Sequence, residues 1–415
     1  MKITDVEIIP VFPRVVPRNQ DKYAYYGDVS RITIFKVHTD AGIVGYGEMR
    51  GAPPPQSAAE PVIGRNPFDF INSNLNHGLI AALYDAMGKH LEVPAYKLMG
   101  QKCRDAVSTA AWTRPCSPQE FREEVRHAAQ QGYTILKMHT SARYDVMEQT
   151  RLAEEVAPEG FRIHYDFNGG ALSGGRSSRT IATVLPLLRE LEKHPIVGFV
   201  EDPLARYDIH GWRTLRERTR IPLILGHSGM LGLAMEVSLG MADLYMIGGS
   251  GIGGTLDRGT ALGLMNTQVM FQLVGNTLSK ALALHMAAVL PTATGHSICQ
   301  EDQYEEDLVV ERLPVHEGFS PVPEKPGLGI EVDEDALQRL ASNPDPYQSI
   351  QRNIGILNLP YGKKLYTLSF PDVNRLTGTE EGAIRGIGFE FWQDDGSSEF
   401  QQLYQRLEKE GSFME

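Results

Sequence analysis

Asp166, Glu201 and His227 are spaced 35 and 26 residues apart, and each closes a short apolar run of strand character. The runs are Gly160-Phe-Arg-Ile-His-Tyr before Asp166, Ile196-Val-Gly-Phe-Val before Glu201, and Ile221-Pro-Leu-Ile-Leu-Gly before His227. Each interval has room for one helix and one strand. If the strands are parallel neighbours, the three side chains emerge at one edge of the sheet. Two carboxylates and an imidazole there make a divalent-metal site. Three unrelated polar residues in loops is the competing reading. Mg²⁺ prefers oxygen ligands in octahedral array, so His227 shifts the expectation toward Mn²⁺, Fe²⁺ or Zn²⁺. Alternatively, His227 stays off the metal and serves as acid or base.

The elements that must position these residues are legible from about Val107 onward. Strand-like runs at Val107–Trp112, Thr134–Met138, Arg162–Tyr165, Val197–Val200, Leu223–Leu225, Leu244–Ile247, Gln268–Leu273 and Gly295–Cys299 alternate with amphipathic stretches. The helix candidates include Pro118–Gln131, Met147–Val156, Arg179–Lys193 and Lys280–Leu290. This alternation predicts a parallel α/β sheet, and seven or eight units in succession favour a closed barrel. Before it, Ile3–Val11, Arg31–His38 and Val44–Glu48 read as an antiparallel meander, followed by a helix over Leu75–Leu91. After Glu301 the rhythm stops. Residues 345–415 are polar and mixed, with a helix expected from Ser398 to Glu410. The glycine-rich Gly248–Gly254 lacks the Gly-Lys-Ser/Thr ending of a phosphate loop.

The bulk composition narrows the classes. With 415 residues, one large domain with a smaller partner, or two domains, is expected. A net charge of −12 opposes nucleic acid and anionic membranes as partners. Three cysteines with no Cys-x-x-Cys pair give no disulfide framework, and the charged N-terminus does not read as a signal peptide. A cytoplasmic setting is the expectation. The apolar stretch Ala281–Leu290 is short and broken by His285, so it reads as a buried helix.

Several motifs carry a family resemblance over Met1 to about Leu337: Gly45-Tyr-Gly-Glu48, Ile63-Gly-Arg-Asn-Pro67, the stretch Ala81–Gly100, Asp166-Phe-Asn168, Glu201-Asp-Pro203, Glu306-Asp-Leu and Pro326-Gly-Leu-Gly-Ile330. On these the chain resembles the enolase superfamily, in its mandelate racemase and muconate-lactonizing group. The resemblance implies a modified (β/α)8 barrel, (β/α)7β, of TIM type with an α+β capping domain. The capping domain would span residues 1–105, completed by 308–415, and the barrel 106–307. It also implies a symmetric homo-oligomer, Mg²⁺, a small carboxylate-bearing substrate, and chemistry that begins with removal of a proton α to that carboxylate.

Five positions depart from the family pattern. Lys137-Met-His139 stands where Lys-x-Lys is expected, and His227 where a third acid is expected. Gly248 and Gln272 end the sixth and seventh strands, and Gln300 or Glu301 ends the eighth. Lys137 and His139 point the same way from one strand because side chains alternate with period two. Lys137 either neutralises the substrate carboxylate, acts as a base, or only pairs with Asp166. His139 suits general base work near neutral pH, or caps a loop. Asn168 binds a substrate hydroxyl or a metal water, or braces its loop. Tyr26 and Arg31 lie in the stretch that, by the resemblance, closes over the substrate. Lys280 is a further acid–base candidate, and Gln272 and Glu301 are substrate-binding candidates. Gln272 cannot exchange protons at neutral pH, which disfavours a two-base racemase and leaves dehydration of a hydroxy or sugar acid. A racemase or epimerase on the same scaffold, and a decayed member that only binds a small ligand, are the alternatives.

Overall fold

The computed structural model describes residues 1–20, 31–167, 179–226, 232–249, 251–298, 300–344, 352–369, 373, 376–377 and 381–415. In chain order the elements begin with β1 (Ile3–Val11), α1 (Pro17–Gln20), β2 (Ile32–Thr39), β3 (Val44–Arg50) and α2 (His77–Leu91). The alternating part follows: β4 (Ala106–Thr113), α3 (Pro118–Gln130), β5 (Ile135–His139), α4 (Val146–Glu154), β6 (Arg162–Asp166), α5 (Ile181–Leu191), β7 (Val197–Glu201) and α6 (Ile209–Arg218). It continues with β8 (Leu223–Leu225), α7 (Leu233–Ser238), β9 (Leu244–Ile247), α8 (Gly251–Leu264), β10 (Gln268–Gln272), α9 (Thr277–Val289) and β11 (Ser297–Ile298). The chain then forms β12 (Phe319–Pro321), α10 (Glu334–Ala341), β13 (Asn353–Asn358), β14 (Lys364–Thr367), β15 (Gly388–Gln393), α11 (Ser398–Glu410) and β16 (Phe413–Met414).

One nine-stranded sheet runs β11-β10-β9-β8-β7-β6-β5-β4-β12, and β11 also pairs with β4 in parallel. Eight parallel strands therefore close into a barrel, and β12 adds antiparallel to β4 as a ninth. This is the closed barrel that the strand–helix alternation favours, in the modified TIM-type form that the resemblance implies. Its strands are continuous apolar runs because helices cover the outside and side chains fill the inside. Contacts divide the chain into two compact units: residues 1–112, 232–238 and 244–348, and residues 113–231, 239–243 and 349–415. Residues 349–415 group with the β5–β8 region.

In the first unit β1, β2 and β3 form an antiparallel meander, as the alternation predicts. The glycines of Gly45-Tyr-Gly-Glu48 have a packing reason. A Cβ on Gly45 or Gly47 would overlap the backbone of Ala82 or Gly78, so only glycine lets α2 lie directly on β3. Asp85 of α2 then ties the unit together, accepting Tyr46 N at 2.9 Å, Leu328 N at 2.8 Å and Lys89 Nζ at 2.6 Å. The glycine-rich stretch opens α8, where Gly254 N donates to Asn74 Oδ1 at 2.9 Å, a structural use of that loop.

In the second unit β13, β14, β15 and β16 form a separate antiparallel sheet in the order β15-β13-β14-β16. One face carries Leu357 and Leu365, which join a cluster with Ala142, Val373 and Ile387. The other carries Ile354 and Ile356 against Phe400 and Leu407 of α11. The helix expected at Ser398–Glu410 is present, capped by Ser397 on Phe400 N. Among the described residues no helix is long and apolar enough to cross a membrane.

Candidate active site

Parallel register aligns the chemistry of the second unit. His139 pairs with Asp166 across β5 and β6, and Asp166 pairs with Glu201 across β6 and β7. These are the last residues of their strands, so the three side chains share one end of the barrel, the end that carries active sites in this architecture. Lys137 sits two residues before His139 on the same face and pairs with His164, which sits two before Asp166.

The contacts are direct. Lys137 Nζ lies 2.7 Å from Glu201 Oε2 and 3.1 Å from Asp166 Oδ2. His139 Nδ1 lies 3.1 Å from the same Asp166 oxygen, and His164 Nε2 lies 2.9 Å from Glu201 Oε2. Lys137 and His164 are fully buried, whereas the His139 side chain keeps 16% of its surface. His139 is therefore the member of the group with access to solvent.

Burial and charge set the protonation states. Burial alone would push the Lys137 ammonium down, but Glu201 and Asp166 outweigh it and hold the group above its ordinary value. Lys137 is a cation at neutral pH. His164 is held well below the usual imidazole range by burial and then by the neighbouring Lys137 charge, so it is neutral. Asp202 is pushed up to about 8 by burial and by the Glu201 and Asp166 carboxylates. It stands at φ 46° and accepts Gly226 N at 2.9 Å, which ties the end of β7 to the end of β8. Gly226 itself leaves room for the acid: a Cβ there would overlap Glu201 Oε1 and lie 2.9 Å from its Cδ.

Asp166 and Glu201 come together as the spacing predicts, and Lys137 and His139 join them. His227, Asn168 and Tyr26 lie outside the described residues. Among the described residues no group of three His, Cys, Asp or Glu is arranged to hold a metal ion. The donor set still suits a divalent cation. Two buried carboxylates converge on the Lys137 ammonium, and carboxylate oxygens are the donors a hard divalent cation takes. Arg31, Gln272, Lys280 and Glu301 belong to the first unit. Arg31 accepts Gly51 N through its backbone, and Gln272 ends β10 half-buried. Lys280 Nζ is 2.6 Å from Glu301 Oε1 and 3.0 Å from Leu313 O, in a buried pair. His164 was missed in the sequence, although period two from Asp166 puts it on the same face.

Neighbouring strands of this barrel thus bring Lys137, His139, Asp166 and Glu201 together, groups of the kinds acid–base chemistry uses. The Enolase C-terminal domain-like family matches residues 120–336, and the chain belongs to it, as a mandelate racemase-like member of the enolase superfamily. It is 26% identical to an N-succinyl-L-Arg/Lys racemase of Bacillus cereus, a match that covers 82% of this chain and 98% of that one. It is also 26% identical to a D-xylonate dehydratase of Haloferax volcanii, covering 74% of this chain and 84% of that one. The crystal structure of the N-succinyl Arg/Lys racemase from Bacillus cereus superimposes with a TM-score of 0.67 at 23% identity, over 83% of this chain and 99% of that one. The relatives include both sugar-acid dehydratases and racemases.

Proposed function

We propose that the protein is a metal-dependent lyase that removes a proton α to a carboxylate and expels a β-hydroxyl, acting on a hydroxy or sugar acid. The observation that carries this reading is the buried Lys137 ammonium bridging Asp166 and Glu201, with His139 bonded to Asp166 beside it.

Each group has a role that follows from its state. Asp166 engages His139 through Nδ1. The tautomer protonated there carries its lone pair on Nε2, the form a general base needs. Lys137, held as a cation, offsets the charge of a substrate carboxylate and of the acids around it. His164, neutral and buried, packs against Glu201 with Nε2 2.9 Å from Oε2. Asp166 and Glu201 would be the oxygen donors for a divalent cation, with His227 as a third ligand. When bound, such a cation supplies charge stabilisation as the α-proton leaves. Loss of the hydroxyl then needs a proton donor, and His139, which holds the abstracted proton, has the chemistry for it; His227 has it only where it stays off the metal. Mg²⁺ follows from the family, and Mn²⁺, Fe²⁺ or Zn²⁺ from the imidazole of His227.

The dehydratase relatives support the lyase reading. One specific observation favours the second reading, a racemase or epimerase: the match to the racemase spans 98% of that protein. Incubation with a panel of hydroxy and sugar acids in D₂O separates the two. The lyase reading expects a 2-keto product with loss of water. Deuterium entry at the α-carbon with no loss of water overturns it in favour of the isomerase. Asp166→Asn is expected to abolish both metal binding and turnover, and unchanged turnover removes the site assignment.

A further inference from the structure

The relatives are matched over nearly their whole lengths by about four-fifths of this chain, and the family match ends at residue 336. The segment beyond has no role from either. It covers the loop that follows the Lys137 strand. We propose that residues 381–389 are a positioning element for Lys137 and His139, acting through Asp145; this rests on the catalytic reading of those two residues.

Loops normally lie on the surface, yet residues 140–146, directly after β5, are all buried. The C-terminal segment buries them. Ala142 sits in the cluster of Leu357, Leu365, Val373 and Ile387. Tyr144 meets Phe389 edge to face at 6.3 Å, and the Arg143 guanidinium lies 5.4 Å from the Phe389 ring. Val146 N donates to Gly382 O at 3.0 Å. Gly382 has φ 76°, and a Cβ there would come within 2.6 Å of Tyr144 O, so both its backbone and its close approach require glycine.

Asp145 is the joint. Its Oδ1 caps α4 by accepting Met147 N at 3.0 Å, and it also accepts Arg385 Nη1 at 3.0 Å. Its Oδ2 accepts Gly386 N at 2.9 Å. At the other end of the loop Thr140 donates through N and Oγ1 to Asp166 O, at 2.9 and 3.1 Å. The loop is therefore fixed at one end to the backbone of Asp166 and at the other to the C-terminal segment. A second link runs through Arg179, which donates to Phe167 O and lies 3.9 Å from Glu381 Oε2. The loop after His139, and Phe167 directly after Asp166, are thus linked to residues near 381–389.

The test uses full-length protein with three variants. Asp145→Asn keeps an oxygen to cap α4 but sets an amide where Gly386 N needs an acceptor. Arg385→Ala removes the half-exposed donor, and Arg385→Lys is the conservative rescue. The expectation is a fall in kcat of about tenfold or more, with KM held within about threefold, in Asp145→Asn and Arg385→Ala, restored in Arg385→Lys. Amide exchange in residues 138–147 is expected to speed up in the same two variants. Wild-type kcat and exchange in both overturn the proposal. Exchange needs no substrate. If the wild-type protein turns over no acid, the catalytic reading falls and exchange alone decides whether the segment holds the loop: faster exchange in the variants supports it, and unchanged exchange overturns it.

Discussion

The ammonium of Lys137 lies 2.7 Å from Oε2 of Glu201, and both side chains are closed off from solvent. A buried pair of this kind contributes little when intact, because desolvation offsets the attraction, but breaking one side leaves an uncompensated charge. The site is therefore intolerant of single changes and more tolerant of paired ones.

Lys137→Met is expected to destabilise the protein by about 3–5 kcal/mol in urea unfolding at neutral pH. It removes the ammonium that lies between Asp166 and Glu201. The double variant Lys137→Met with Glu201→Gln is expected to recover much of that loss, while turnover stays at least about a hundredfold down. Equal stability of the single and double variants would show that the pair is not coupled.

Gly226→Ala tests the packing around Glu201. The added methyl would overlap Glu201 Oε1, although the backbone of Gly226 is not in the left-handed region. Turnover is expected to fall by about a hundredfold as the carboxylate is displaced, with a folded protein by circular dichroism. Wild-type turnover in this variant would show that Glu201 can move without consequence.

Stability at acid pH is expected to depend on His285. Burial lowers its imidazole to about 4, and it meets Leu328 O at 3.1 Å through Nε2. The unfolded chain binds a proton that the folded one refuses between its ordinary value and about 4, so stability is complete above the upper bound and is lost as pH falls through this window. The loss is on the order of a few kcal/mol. His285→Gln keeps a donor for Leu328 O and is expected to flatten this slope in unfolding curves from pH 7 to pH 4. An unchanged slope assigns the acid sensitivity elsewhere.

Glu48 acts in the opposite direction. Burial and the neighbouring Asp307 charge push it up to about 8, despite its bond from Ser279 N at 2.8 Å. The folded state holds a proton that the unfolded chain releases, so the contribution is present below the ordinary carboxylate value and is lost as pH rises through about 8. Glu48→Gln is expected to match the wild type near pH 4 and to be the more stable protein near pH 9. Parallel stability curves for the two would refute this account.

Several features were absent from the sequence reading for identifiable reasons. Strand β13 is buried on both faces, with Ile354 and Ile356 toward α11 and Leu357 toward Ala142, so it lacks the apolar–polar alternation that marks a strand. His164 did carry a signal, since it shares a face with Asp166, but an isolated histidine inside an apolar run reads as core. The glycines at 45 and 47 matched a motif, and only the approach of Ala82 and Gly78 gives the physical reason.

The sequence by itself determined the order of strands and helices, the closed barrel, and the strand ends at which Asp166 and Glu201 stand. Those follow from local periodicity and from the intervals between apolar runs, which are properties of neighbouring residues. Only the tertiary structure decided that Lys137 sits between the two acids as a cation, that His164 lies against Glu201, and that the C-terminal segment grips Asp145. These depend on parallel register, on burial, and on contacts between residues far apart in the chain. A linear pattern encodes none of them, because the energy of each lies in which side chain is brought near which charge.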